Sequence, residues 1–522
     1  NVHVDHHVIW VDPDMPNHLI NGNDGGLNMS YDAGKSWNKL NSIALGQFYA
    51  INVDYEKPYN VYGGLQDNGT WKGPHTYSYS KDYEAEGQYP YKSIGGGDGM
   101  QVQIDRRNSN IVYAGSQFGY YNRMNLETGE RKYIKPSHGL GEAPYRFNWE
   151  TPILLSPHNQ DILYMGGNKL MRSMNQGDDW TPISPDLTAG GKKGNVPFGT
   201  LTNVTESPFQ FGLIYTGSDD GVIQVTQDAG GSWATISEEL PHDLWVSKVL
   251  ASSHKKGRVY ATLNGYRYDD FKPYVYVSDD FGASWKDISS NLPLSPVNVI
   301  IEDPVKENIL YLGTDDASYI SFDQGSSWEL LDGSMPNVAV HDMVVQTEAN
   351  DLVIGTHGRS IYITNLDEIQ KFDAGKASDL QLFELDAVDY STNWGRSWSA
   401  WRAANAPEIK IAFYAPQSGK ATLEIMSAAE KTVKSWEVAV EKGFNYIPYD
   451  LTISEAGKKQ LEKETKDLKI AKAQNDVYYI TPGSYQVQVE IAGKTASTKL
   501  KVEEGSRRRD WAEAAANAPE ED

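Results

Sequence analysis

The chain has 522 residues, too many for one compact core, and divides more naturally into two or three domains. Its 70 acidic and 47 basic residues give a formal charge of −23, which repels phosphate backbones and argues against a nucleic-acid partner. The absence of cysteine removes disulfides, thiolate nucleophiles and cysteine-ligated metal centres, and no run of eighteen apolar residues is present to span a bilayer as a helix.

From the first residues the chain alternates apolar and polar positions, as half-buried strands do. The opening unit, "HHVIWVDPDMPNHLINGNDGGLNMSYDAGKSW", is an apolar strand, a polar turn, a second apolar strand ending in glycine, and an eight-residue box at Ser30–Trp37. The box returns as "TQDAGGSW" (Thr226–Trp233), "SDDFGASW" (Ser278–Trp285) and "SFDQGSSW" (Ser321–Trp328), and more loosely as "SMNQGDDW" (Ser173–Trp180), where Asn175 replaces the aspartate. "LQDNGTW" at Leu65–Trp71 keeps only the end of the pattern. Steps of 53, 52 and 43 residues between the last four box tryptophans fit the blades of a β-propeller.

Further strand pairs lie at about 48–74, 97–134, 199–236 and 246–288, and the terminal half-unit is "VHDMVVQTEANDLVIGTHGRSIYITNL". Eight candidate units result: either eight blades, or seven blades with one segment that closes the ring or belongs to a neighbouring propeller upstream. Because the chain opens within a unit and its repeats end on half of one, an upstream segment of the same precursor is expected to pack against residues 1–45 or 340–366. The box itself reads as shape rather than chemistry. Its aspartate accepts backbone N–H groups of its own turn, its glycine takes a left-handed position, and its tryptophan packs between strands.

The box and the unit resemble the Asp-box, or bacterial neuraminidase repeat, found in sialidases, two-propeller xyloglucanases, photosystem assembly propellers and the ectodomain of sortilin. "DHHVIWVDP", "GLQDNGTWKGP", "GGGDGM", "RFNWETPILLSP", "ISPDLT", "GTHGRSIYITNL" and "YITPGSYQVQVEIAG", in that order, are similar to the sortilin-like or glycosyl-hydrolase-like repeat proteins of Bacteroidetes. That resemblance implies a long exported protein at the cell surface, on the outer membrane's exterior or in the periplasm, with an outer-membrane protein complex as a possible associate. It implies no established activity.

After Leu366 the boxes stop. Residues 367–378 read as a polar connection and residues 379–504 as an immunoglobulin-like sandwich, with alternating strands at Glu408–Pro416, Lys420–Ser427, Lys434–Val440 and a hairpin over Gly483–Glu503. "SEAGKKQLEKETKDLKIAKAQ" interrupts it with helix formers and i,i+4 charge pairs, a solvated helical insertion. Residues 505–522 form an acidic tail. The expected fold is therefore all-β: a seven- or eight-bladed propeller followed by a sandwich.

Aligning the units on their first strands brings Asp5, His6, His7, Gln47, Asp98, Arg146, Glu150, His341 and Asp342 to comparable positions, where they would ring one mouth of the central channel. A polypeptide or glycan ligand is expected there, with Tyr83, Tyr89 and Tyr266 from two tyrosine-rich loops as further contacts. Asp98 and Glu150 are the candidate catalytic pair if the protein is a glycoside hydrolase, which needs two carboxylates flanking one bond. His6, His7 and Asp5 are metal ligands by type, but neighbours on a strand point to opposite faces, so neither a metal nor a cofactor is expected. Sequons at Asn28, Asn68 and Asn203 mark possible glycosylation sites. An interaction scaffold is the leading reading.

Overall fold

A computed structural model describes residues 2–40, 44–78, 90–331, 335–397, 399, 401 and 403–505. The chain separates into two compact units, Asn1–Leu366 and Asp367–Asp522. The first is a β-propeller. Seven up-and-down antiparallel sheets, with their first strands side by side, form a ring: blades I (residues 48–95), II (102–133), III (153–182), IV (201–235), V (245–287), VI (297–330) and VII (340–365). Blades I to VI have four strands and blade VII has three.

The last half-unit is thus a closing blade and not an open end. The first strand of blade VII, Val340–Gln346, packs on the first strand of blade I, Phe48–Val53. Asp342 accepts the Ile51 N–H at 3.1 Å, Gln346 donates to the Asp54 carbonyl at 3.1 Å, and the Tyr59 hydroxyl donates to Asp351 at 3.0 Å.

An eighth sheet stands outside that ring. It contains β1 (His6–Val11), β2 (Leu19–Asn23), β3 (Gly26–Ser30) and β4 (Asn38–Leu40), paired in that order. Turn-to-turn bonds tie it to blade I: His3 to the Asp67 carbonyl at 2.9 Å, and Asn68 to the Asp24 carbonyl at 2.8 Å.

Blade faces explain the repeated residues. Tyr62, Tyr113, Tyr164, Tyr215, Tyr260 and Tyr311, one on the second strand of each of the first six blades, are fully buried. Tyr164 donates to Glu206 of the next blade at 3.0 Å and Tyr260 to Glu302 of the next blade at 3.1 Å, so these two button neighbours together, whereas Tyr62 and Tyr311 donate to Asp54 and Asp303 of their own blades. The box joins the third strand to the fourth. In blade VI, Asp323 accepts from the Ser321 hydroxyl, the Ser327 N–H and the Ser327 hydroxyl at 2.6–2.8 Å, and Gln324 and Gly325 take positive φ. Equivalent bonds from serine hold the Asp32 and Asp280 carboxyls down to about 2, so they stand ionised as turn acceptors. Asn175 fills the same role, accepting the Asp179 N–H at 2.9 Å.

The sequons are committed to the fold. Asn28 and Asn203 are buried, Asn203 accepts the Val249 N–H, and Asn68 donates to two backbone carbonyls.

The second unit is an immunoglobulin-like sandwich with a helical insertion. Ile409–Ala415 pairs with Gly443–Tyr449 and Gln381–Leu382 in one sheet; Gly419–Met426, Thr432–Val440, Gly483–Ile491 and Lys494–Glu503 carry the other, with Val388–Asp389 at its edge. Its core includes Phe413, Leu423, Ile425, Val487, Val489 and Leu500. The insertion narrows to α1 (Glu455–Glu464), capped by the Ser454 hydroxyl on the Gly457 N–H, with Leu461 buried. Residues 367–378 are more than a connection. Asp367–Lys371 is a short helix, and Phe372 packs on Tyr414 and Phe444. Residues 506–522 of the expected tail lie outside the described residues.

Asp323→Ala should lower stability by about 1–3 kcal/mol, since it strands one turn N–H and two hydroxyls, without touching the channel. Chemical denaturation measures the first effect, and ligand titration at equal folded fraction measures the second.

Candidate functional site

The first strands of the seven blades leave a central cavity of about 830 Å³. Its wall follows from a repeated irregularity. In blades I, IV, V, VI and VII the first strand skips one residue in register near its start; the residue after the skip lines the cavity in blades I, IV, V and VII (Ala50, Asn203, Lys248 and Asp342), and in blade VI the skipped Asn298 does.

Several polar side chains here stitch one blade to the next. Asn52 donates to the Val102 carbonyl at 2.8 Å, Gln101 accepts the Ile153 N–H at 3.2 Å, Gln103 accepts the Leu155 N–H at 3.3 Å, and Ser247 donates to the Val297 carbonyl at 2.8 Å. An amide oxygen spent on a neighbour's backbone leaves the NH₂ end for the lumen.

The charges in the cavity are unequal. Glu150 follows an Asx turn in which Asn148 accepts its N–H at 3.0 Å. Burial first, and then the Asp342 carboxylate, push its carboxyl up to about 8 against the opposing pull of Lys248, Arg267 and a bond from Gln101. Asp342 accepts the Ile51 N–H and lies 3.6 Å from the Lys248 ammonium. His341 stacks on His357 with ring centroids 4.3 Å apart and planes 12° from parallel. Burial, then the neighbouring imidazole and Arg267, bring His341 down to about 3, so both histidines are neutral at physiological pH; His357 is lowered by burial as well. Tyr49 is pushed up to about 12 by burial and by Asp98.

Aromatic faces frame this polar wall. The Arg267 guanidinium lies 4.0 Å from the Trp245 ring centroid and 4.6 Å from that of Tyr266, an arrangement in which two ring faces fix a long cation. Trp149 stands edge-on to Phe118 at 5.1 Å and remains exposed.

Of the residues expected at the mouth, Glu150, His341, Asp342 and Tyr266 line the cavity together. Gln47 bridges to His357 through its backbone just behind the lining. Asp5, His6 and His7 belong to the eighth sheet outside the ring, where His6 bonds Asn21 and His7 bonds Asp24. Arg146 is held in a loop by Asp186 at 2.7 Å and by the Gly199 carbonyl at 3.1 Å. Asp98 is buried at the junction of blades I and II, where it accepts the Asp67 N–H at 3.1 Å, and it does not line the cavity. Burial and then Asp98 raise the Asp67 carboxyl, with Asp24 and Asp5 adding to the effect. Tyr83 and Tyr89 lie outside the described residues; of the same loop, Tyr77 meets Tyr91 edge-on at 5.8 Å. Trp149, Trp245, Lys248, Arg267 and His357 were not marked by sequence. The bulge that turns residue 248 inward and the turn that delivers Arg267 leave no periodic trace.

No protein-family model and no curated protein matches the chain. Among solved structures it is similar to the GH74 xyloglucanase of Xanthomonas campestris, at 16% identity and a TM-score of 0.48, covering 68% of this chain and 58% of that one. It is also similar to a GH74 enzyme of Niastella koreensis, at 12% identity and a TM-score of 0.46, covering 88% and 73%. A third is the extracellular domain of a one-component system of B. thetaiotaomicron, at 11% identity and a TM-score of 0.44, covering 95% and 63%. The chain thus spans less than two thirds of the length of the Xanthomonas enzyme. Among the described residues no helix is long and apolar enough to cross a membrane.

The Glu150 carboxyl gives the ring a pH signature. Folding raises its proton affinity, so its contribution is intact below about 4.5 and is lost as pH rises toward about 8. The lowered histidines act in the opposite direction but only below about 6.5, their ordinary value. Between pH 6.5 and 8.5 the wild type should therefore lose more stability than Glu150→Gln, by on the order of 1–2 kcal/mol. Parallel denaturant titrations across that window measure the difference.

Proposed function

We propose that the propeller is a binding module of an exported cell-surface scaffold, and that it takes a glycan at the mouth of its central cavity. The observation that carries this reading is the pairing of flat aromatic faces, Trp149, Trp245 and Tyr266, with lumen amides whose oxygens are spent on a neighbouring strand, Gln103 and Asn203. Pyranose rings present an apolar face and a rim of hydroxyls. Aromatic planes take the face, while amide NH₂ groups and Arg267 donate to the rim. A polypeptide is the alternative ligand for the same wall. The sandwich unit would present or dock the ring, and the resemblance to the sortilin-like repeat proteins of Bacteroidetes supports export to the bacterial surface, where an outer-membrane protein complex is a candidate associate.

Glycan arrays followed by calorimetry on the full chain test the proposal. Trp245→Ala and Arg267→Ala should each weaken a bound glycan at least tenfold, which is about 1.4 kcal/mol or more, with the melting temperature little changed. Binding that survives both substitutions would place the ligand elsewhere, and binding of peptides alone would favour the second ligand class.

Glycoside hydrolysis is a second reading, and one observation favours it. Glu150 holds a proton near neutrality beside the Asp342 carboxylate, the division of labour that acid-assisted glycosidic cleavage needs. Asp98 is not part of that pair. On a polysaccharide panel, activity abolished by Glu150→Gln and by Asp342→Asn but retained in Asp98→Asn would establish this reading, and no turnover in the wild type would remove it.

A further inference from the structure

The eighth sheet carries the fittings of a blade, and both of its faces differ from those of the ring blades in the same respect. In the ring, each box tryptophan reaches backward. The indole N–H donates to a carbonyl of the preceding blade: Trp180 to Ile134 at 2.7 Å, Trp233 to Ile183 at 2.9 Å, Trp285 to Ile236 at 2.6 Å and Trp328 to Ile288 at 2.7 Å. The box glycine seats against that same isoleucine. A Cβ at Gly177, Gly230, Gly282 or Gly325 would fall 2.4–3.1 Å from it. In the eighth sheet the box is complete, with the same turn bonds around Asp32 and the same positive φ at Gly34, yet the Trp37 indole folds back on the Gly34 carbonyl at 3.1 Å. The nearest atoms to a Cβ at Gly34 belong to Trp37 and Leu19 of its own sheet, at 3.4 and 3.7 Å.

The other face reads the same way. Gly217, Gly313 and Gly355, each opposite the residue that follows the first-strand bulge, make room for the next blade: a Cβ there would meet Val246, Val340 and Ile51 at 2.4, 2.6 and 2.8 Å. Gly22 has the same register, opposite Val8 after the same bulge, but its neighbours are Val8 and Leu27 of its own sheet. The first strand shows the consequence. Ile9 is 58% exposed, whereas Ile51, Val249, Ile300 and Met343 at its register are at most 5% exposed. Val8, Trp10 and Val11 are also exposed, so an apolar edge strand faces solvent.

We propose that residues 6–40 are one blade of a second β-propeller, seated between two further blades of the same box-bearing repeat. The preceding blade supplies an apolar residue whose carbonyl receives Trp37 and whose side chain covers Gly34. The following blade lays a β-branched side chain of its first strand over Gly22. A second copy of this chain does not fit, because its seven blades already close on one another and it has only its own eighth sheet to offer. The occupant is therefore a partner that carries box-bearing blades, and the repeat inside this chain defines the chemistry of both contacts.

The test compares the recombinant 522-residue chain with the native assembly drawn from its source by an antibody against residues 367–505. Amides of residues 6–11 should exchange at least tenfold more slowly in the native assembly, with residues 48–53 equal in both. A photocrosslinking p-benzoylphenylalanine placed at Trp37 in the source cells should form an adduct with a peptide from a blade that carries the box. Ile9→Asp should remove the extra protection while leaving the melting temperature of the recombinant chain within about 2 °C, since the seven-bladed ring does not use this strand. Equal exchange in the two preparations overturns the proposal, as does protection that survives Ile9→Asp. So does an adduct with this chain itself, or with a polypeptide lacking the repeat. Concentration-dependent dimerisation of the recombinant chain that protects residues 6–11 would make a second copy the occupant and overturn it as well.

Discussion

The contact between adjacent blades governs this molecule. A four-stranded sheet has two apolar faces, and neither can be buried within the blade itself; each blade is stable because two neighbours cover it. In the ring that cover is specific as well as hydrophobic. The box indole reaches back to one neighbour's carbonyl, and the tyrosines of blades III and V reach forward to a carboxylate on the next blade. A bond to a buried carboxylate is among the stronger neutral-donor contacts available, and leaving its partner unsatisfied would cost more than the bond contributes. Closure follows, because a blade lacking one neighbour would expose an apolar face and a polar socket together.

That constraint explains which parts of the architecture can be read along the chain. The box, the alternation and the Gly-terminated second strands recur because every blade must solve the same packing problem, so the propeller and its approximate unit boundaries are legible. Membership of the ring is not, because the eighth sheet carries the same residues. A weak clue lies in the first strands. The ring uses Asn52, Asn203 and Asp342 to bond the backbone of the adjacent first strand, whereas "VIWV" at Val8–Val11 offers no such group. Reading that clue requires knowing which residue follows the bulge, and the bulge has no sequence mark.

The site was half legible for the same reason. Glu150, His341 and Asp342 were found because they lie on or beside first strands, which any propeller aims at its axis. Trp245, Lys248 and Arg267 went unmarked, since one precedes the bulge, one follows it, and one sits in a turn whose direction depends on the neighbouring blade. Asp98 misled because it lies just before the first strand of blade II, where aligning the units puts a residue at the mouth. It is instead buried in the connection between the two blades, where its carboxylate accepts the Asp67 N–H.

Up-and-down strand order also separates stability from recognition. The turn after the third strand, where each box lies, is at one end of a blade. The start of the first strand and the turn after the second lie at the other end. Glu150, Trp245, Arg267 and His357 all come from that second end, so the cavity mouth and the boxes occupy opposite faces of the ring. Boxes can hold the ring while the opposite loops vary in chemistry without disturbing it. The eighth sheet joins the ring from the mouth side: Asp24, in its turn between β2 and β3, meets Asn68, in the corresponding turn of blade I. A propeller built around that sheet would therefore bring its own variable face alongside this one. The aromatic, amide and carboxylate side chains of this ring's mouth would then lie near the boundary of the two rings, although the boxes that hold this ring lie away from it.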